Sequence, residues 1–257
     1  MSWGIEITNN SGSVLIDGQR QNYAYAGTVI ATRQSGPNYS GSTVPGYTHK
    51  TAVITAVTRP VLAMNPIEQS VGSLRACFYS YGMAIEAIIP EGGGWVCYLT
   101  CGTQVGDVTL DLFVDVQTLG SSSGYGMQVF GPTGLLCFDS DKAPAVFKGS
   151  QSVALDSVLN GGYFSLPMVT VPAYGNRVFF SGACAGILFP AYNGNNGSGA
   201  MVAPMVVRTN GSYVFSWLTK GAYIFSLDQL WTLASNYGIQ YISAPGQLRH
   251  TAIFFDV

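Results

Sequence analysis

"WGIEITNNSGSVLIDGQR" occupies residues 3–20, and "YGMQVFGPTGLLCFDSDK" occupies residues 125–142. Superposed without a gap, the two stretches match Gly4 with Gly126, Gly12 with Gly134 and Asp17 with Asp139. Chemical type is kept at Trp3 and Tyr125, Ile5 and Met127, Ile7 and Val129, Val14 and Leu136, Ile16 and Phe138, and Arg20 and Lys142. In the first stretch Ile5 and Ile7 alternate with Glu6 and Thr8, the period of a half-buried strand. "NNSG" follows, built from residues that tolerate φ > 0 or bond their own backbone, and then the apolar "SVLI". That is a β-hairpin. Its second copy has the turn "GPTG", where Pro132 presets φ and its missing N–H costs nothing.

The match runs on past the hairpin. Tyr25 and Gly27 fall on Phe147 and Gly149 at the same offset. "YLTCG" at 98–102 resembles "WLTKG" at 217–221, and "LFVDV" at 112–116 resembles "IFFDV" at 253–257. These pairs keep their order but change offset, as loop insertions and deletions produce. The chain therefore reads as an all-β protein of two tandem, related β-sandwich or barrel-like units, residues 1–116 and 125–257. The joining segment 117–124, "QTLGSSSG", has the composition of a flexible linker.

Further strands are expected at 51–57, 75–80, 83–89, 94–100, 168–172, 177–181, 201–208, 212–218 and 250–257, separated by turn residues. Loops are expected at 34–48 and 190–200, which are rich in Gly, Asn and Ser. One helix is expected at 226–238, where Leu227, Leu230, Trp231, Ala234 and Tyr237 share a face. Ser226 and Gln229 make a capping-box pattern at its start, and Gly238 suits its C-cap.

Charge is scarce. Asp, Glu, Lys and Arg make up 9% of 257 residues, against roughly 25% in an average soluble protein. The net charge is −2 and the basic residues are scattered singly, so no stripe is present to neutralise phosphates and no nucleic-acid partner is expected. No apolar run reaches the length of a membrane helix. The opening "MSWGIEITNN" has neither a basic n-region nor an apolar h-region, so no secretory signal is expected. A surface so poorly defended by charge is expected to be covered by partner subunits, which points to a homo-oligomer.

The residues of catalysis are missing or explained otherwise. "GSSSG" at 120–124 fits the nucleophile-elbow spacing, but it lies in the linker with no helix after it to aim a serine. His49 and His250 are the only histidines, and each is expected at a surface or a strand edge. Asp17 and Asp139 repeat between the copies, as do Asp115 and Asp256, so turn-closing roles are expected for them. Cys77, Cys97, Cys101, Cys137 and Cys184 fit no zinc spacing and read as free, mostly buried thiols. No catalytic residue, cofactor site or metal site is expected, and the protein is not read as an enzyme. Tyr39 and Tyr47 in one loop, and Tyr192, Asn193, Asn195 and Asn196 in the other, mix flat rings with amides. They are the candidate interaction residues.

The opening "MSWGIEITNNSGSVLID" resembles the N-terminus of small tail-tip proteins of long-tailed bacteriophages, over residues 1–25 and more loosely over 125–149. The resemblance implies a non-enzymatic virion component of the tail tip or baseplate, made in the bacterial host cytoplasm. Its partners would be other phage tail proteins, such as hub, fibre or baseplate subunits, with self-association as a trimer or ring. Its task would be fibre docking or host attachment. The alternative is a lectin-like, receptor-binding tail-fibre protein whose loops contact a bacterial surface glycan or pilus.

Overall fold

Alternating apolar and polar residues form strand after strand. The computed structural model describes residues 6–8, 14–17, 22–34, 47–66, 68–70, 74–120, 126–154, 158–160, 163–165, 169–172, 177–180, 185–189, 198–223, 240–242 and 249–256. The first half of the chain contributes β1 (Glu6–Thr8), β2 (Val14–Asp17), β3 (Tyr23–Arg33), β4 (Tyr47–Thr51), β5 (Val61–Met64), α1 (Leu74–Tyr81), β6 (Met83–Glu91), β7 (Gly94–Cys101) and β8 (Val108–Asp115). The second half contributes β9 (Gln128–Phe130), β10 (Leu136–Asp139), β11 (Val146–Ala154), β12 (Val158–Asn160), β13 (Tyr163–Ser165), β14 (Val169–Pro172) and β15 (Arg177–Phe180). It continues with β16 (Ala185–Phe189), β17 (Ser198–Thr209), β18 (Ser212–Tyr223), β19 (Gln240–Ile242) and β20 (Arg249–Asp256).

The main sheet holds strands of both halves. Its path runs β11-β20-β15-β5-β8-β3-β4-β7-β6-β17, with β18 on β17 and β14 on β18. β14 also lies against β11, so the sheet curls into a nearly closed barrel. The halves meet at two junctions, where Val178 of β15 pairs with Met64 of β5 and Val206 of β17 pairs with Met83 of β6.

The repeat seen in the sequence has a counterpart in the hydrogen-bond register. β1 and β2 pair Glu6 with Asp17, Ile7 with Ile16 and Thr8 with Val14. β9 and β10 pair Gln128 with Asp139, Val129 with Phe138 and Phe130 with Leu136, the same register 122 positions later, with the irregularity at the same place. The next strand of each half then pairs antiparallel with its last strand, β3 with β8 and β11 with β20. Both ladders shift register at the glycines matched between the copies, between Tyr25 and Gly27 and between Phe147 and Gly149. Gly27 has φ +107° and Gly149 φ +156°, where a side chain is disfavoured and a bulge is easily turned. Two-residue turns close the hairpins β6–β7 and β17–β18, through Gly92-Gly93 and Asn210-Gly211, all at positive φ.

One apolar core serves both halves. Leu62, Met64, Ile85, Leu99, Leu110 and Val114 share it with Val178, Phe180, Phe215, Ala252 and Phe254. Phe180 and Phe215 pack tilted with centroids 4.7 Å apart, and Tyr213 meets Phe254 at 5.4 Å. Each fully buried Leu or Phe contributes roughly 1.5–3 kcal/mol of burial. Residues alternating with these face outward. There Ala63 and Phe113 form a second cluster with Tyr23, Tyr25, Val61, Phe179 and Ile253. The segment after β10 docks beside it, where Tyr25 N donates to Ala143 O at 2.8 Å and Ala145 N donates to Tyr23 O at 2.9 Å.

Several sequence expectations need correction. Of residues 51–57, read as a strand, only Thr51 belongs to one, and Ile54 makes an isolated bridge with Trp95. Residues 75–80, read as a strand, lie in α1, because Leu74, Cys77, Phe78 and Tyr81 stand at helical spacing and Cys77 and Phe78 are buried in the core. Gly82 ends the helix by donating its N–H to Phe78 O at 3.0 Å, and a Cβ there would come within 2.6 Å of that oxygen. Tyr47 and Thr48, assigned to a loop, begin β4 and pair with Cys101 and Thr100. The expected helix at 226–238 and linker residues 121–124 lie outside the described residues. Residues 117–119 continue the chain as a turn behind β8. Among the described residues no helix is long and apolar enough to cross a membrane.

Candidate functional site

Asp111 lies mid-strand in "VTLDLFVD", the strand β8, seven of whose eight residues are buried and whose second carboxylate, Asp115, ends it. It pairs through the backbone with Thr28 of β3 and Ala63 of β5. β15 crosses from the other half and places Arg177 so that its Nε donates to Asp111 Oδ2. The Asp111 side chain is 9% exposed and that of Arg177 22%, so the pair is largely out of water. Removing a carboxylate from water is expensive unless a charged donor meets it, and Arg177 meets that requirement.

A cleft of about 390 Å³ opens over this pair. Thr28, Asn65, Gln69, Tyr81, Gln104 and Thr109 line it. Its walls are clipped in place by backbone. Gly102 N donates to Gly82 O at 2.7 Å and Gln104 N to Ser80 O at 2.9 Å, tying the 102–107 loop to the end of α1. His49 lies beneath the loop with its Nε2 2.8 Å from Gly106 O. A carbonyl oxygen can only accept, so Nε2 carries the proton. His49 is fully buried in β4, a correction to the expected surface or strand-edge position. On the opposite wall Gln69 N donates to Arg208 O at 2.9 Å, and Arg208 pairs with Glu68 at 3.0 Å.

Several other ionisable groups among the described residues have structural roles. Asp115 is buried and accepts from Thr58 N and Oγ1 at 3.2 and 3.0 Å, and from Thr118 N and Oγ1 at 2.9 and 2.7 Å. Burial alone would raise its pKa. These hydrogen bonds outweigh burial and hold the carboxyl below the ordinary carboxylate value. Asp139 accepts from Asp141 N and Gln128 Nε2, both at 3.0 Å, and closes the turn after β10. Glu91 accepts from Lys50 at 2.6 Å and from Tyr98 at 2.7 Å on the surface, and those bonds lower its pKa. Cys77, Cys97, Cys101 and Cys137 are free and buried, and burial pushes the Cys97 thiol up to about 12. Among the described residues no group of three or more His, Cys, Asp or Glu could hold a metal ion.

Of the candidate interaction residues, Tyr39, Tyr192, Asn193, Asn195 and Asn196 lie outside the described residues, and Tyr47 belongs to β4. The cleft is built from other residues. One signal points to it, the mid-strand Asp111 flanked by Leu110 and Leu112 in a strand reading as core, because a buried carboxylate implies a partner. Nothing in the sequence named Arg177 as that partner. Comparisons with protein-family models, curated proteins and solved structures gave no match to this chain.

Proposed function

We propose that this chain is a structural component of a tailed-bacteriophage virion, seated in the tail tip or baseplate, where it supports fibre docking or host attachment. The observation that carries the reading is the shared register of the two hairpins together with the strand order around the barrel. From the β15/β5 junction the order runs β5-β8-β3 in one direction and β15-β20-β11 in the other. At the far junction β6-β7-β4 faces β17-β18-β14 in the same manner. Such an order fits an internal duplication whose two units closed on each other about an approximate two-fold axis. A subunit of that kind offers two similar outer surfaces, which suits contact with symmetric neighbours in an assembly.

The surface chemistry supports the same reading. Ile30, Val57 and Phe130 are each more than half exposed, on a chain with few charges to keep surfaces apart. The N-terminal resemblance to tail-tip proteins supplies the particle. Mass spectrometry and image reconstruction of purified phage tails test the reading. The chain is expected in tail-tip density, in repeated copies, contacting hub or fibre subunits. Particles that assemble and infect normally without it, or a chain found only in heads, would overturn the proposal.

A further inference from the structure

We infer that the cleft over Asp111 and Arg177 binds a neutral saccharide unit, a role that does not depend on the virion reading. Its lining carries two hydroxyls (Thr28, Thr109), three carboxamides (Asn65, Gln69, Gln104) and one ring (Tyr81). Hydroxyls and amides both donate and accept, as do the vicinal hydroxyls of a sugar, and a half-buried ring supplies a flat apolar wall for the carbon face. The side chains of Thr28, Asn65, Gln69, Gln104 and Thr109 make no hydrogen bond to another described residue, so their capacity is open to a ligand. A volume of about 390 Å³ falls within the range of small-molecule pockets.

Charge argues against an anionic ligand. Asp111 and Arg177 cancel each other at the floor, and Asp107 adds a carboxylate at the rim that would repel an anion.

The approximate symmetry argues that the ion pair is more than scaffolding. Phe113 of β8 pairs with Val61 of β5, and Phe255 of β20 pairs with Arg177 of β15. Arg177 thus stands where Val61 stands in the other half. The ladders match Leu112 with Phe254 and Val114 with Asp256, one residue off the sequence match of "LFVDV" with "IFFDV", so Asp111, two residues before Phe113, stands where Ile253 stands two before Phe255. Val61 and Ile253 join the outer apolar cluster beside Ala63 and Phe113. On one side of the β5/β15 junction Val61 and Ile253, one from each half, fill this position with apolar side chains, and on the symmetry-related side Asp111 and Arg177 place there a largely buried ion pair, which is seldom the more stable choice. The charged version sits where the cleft opens, and it gives the floor a fixed donor and acceptor facing a ligand.

Saturation-transfer NMR on the full chain, with methyl glycosides of glucose, galactose, mannose and N-acetylglucosamine at about 10 mM, tests this over the range of weak site affinities. Thr109→Trp fills the cleft from an exposed strand position, while Asn65→Ala and Gln104→Ala remove exposed polar groups. At least one neutral glycoside is expected to bind. Its signal should vanish in Thr109→Trp, and its affinity should fall about tenfold in Gln104→Ala or Asn65→Ala. Should Thr109→Trp not fold, the two alanine variants decide alone. The inference is overturned if no glycoside binds, if binding survives every variant that folds, or if the matching uronic acid binds as tightly as the neutral sugar.

Discussion

Gly27 and Gly149 sit at the register shifts of two separate ladders, β3 with β8 and β11 with β20. A Cβ built on either meets no heavy atom within 4 Å, so an alanine there is opposed by backbone conformation alone. Gly27→Ala and Gly149→Ala are each expected to lower unfolding free energy by about 1–2 kcal/mol, read from the urea midpoint. Similar losses are expected if the two sites are equivalents; a loss confined to one site would count against the shared design. These glycines could be found in the sequence because a positive φ narrows the choice of residue to glycine. Asp111 was only half visible. Its place in an apolar strand marks it as a paired carboxylate, but the pairing group lies 66 residues away on a strand whose sequence, "RVFF", contains no sign of it.

At the scale of elements, the hairpins were plain in the sequence and α1 was not. A hairpin carries its own instructions, with period-2 alternation on both arms and turn residues between them. α1 has only two turns' length, and "LRACFYSY" mixes Cys, Phe and Tyr that suit a strand as well as a helix. Its helicity depends on packing, since Cys77 and Phe78 enter the barrel core and α1 rests on β17 and β18. Short helices are marginal without such contacts. Phe78→Ala is therefore expected to destabilise the protein by about 3–5 kcal/mol, measured by chemical unfolding. Because Tyr81 and the 102–107 loop are tied to the same helix, a Phe78→Ala protein that keeps its full stability would contradict the placement of α1 in the core.

The whole molecule combines what the sequence presented as two. Strands of residues 1–116 and 125–257 alternate in blocks around one sheet and fill one apolar core. Calorimetry is expected to show a single unfolding transition, with both halves lost together; two resolved transitions would overturn the shared core. The all-β class, the repeated hairpin, the bulge glycines and the tight turns follow from the sequence by itself, because each depends on residues near one another in the chain. The junctions β15/β5 and β17/β6, and with them the Asp111–Arg177 pair and its cleft, were decided only by the tertiary structure. The backbone N–H and C=O groups along a strand edge are the same for every residue, so an edge carries no address for its partner. Which edges join depends on how the whole sheet curls to bury its core.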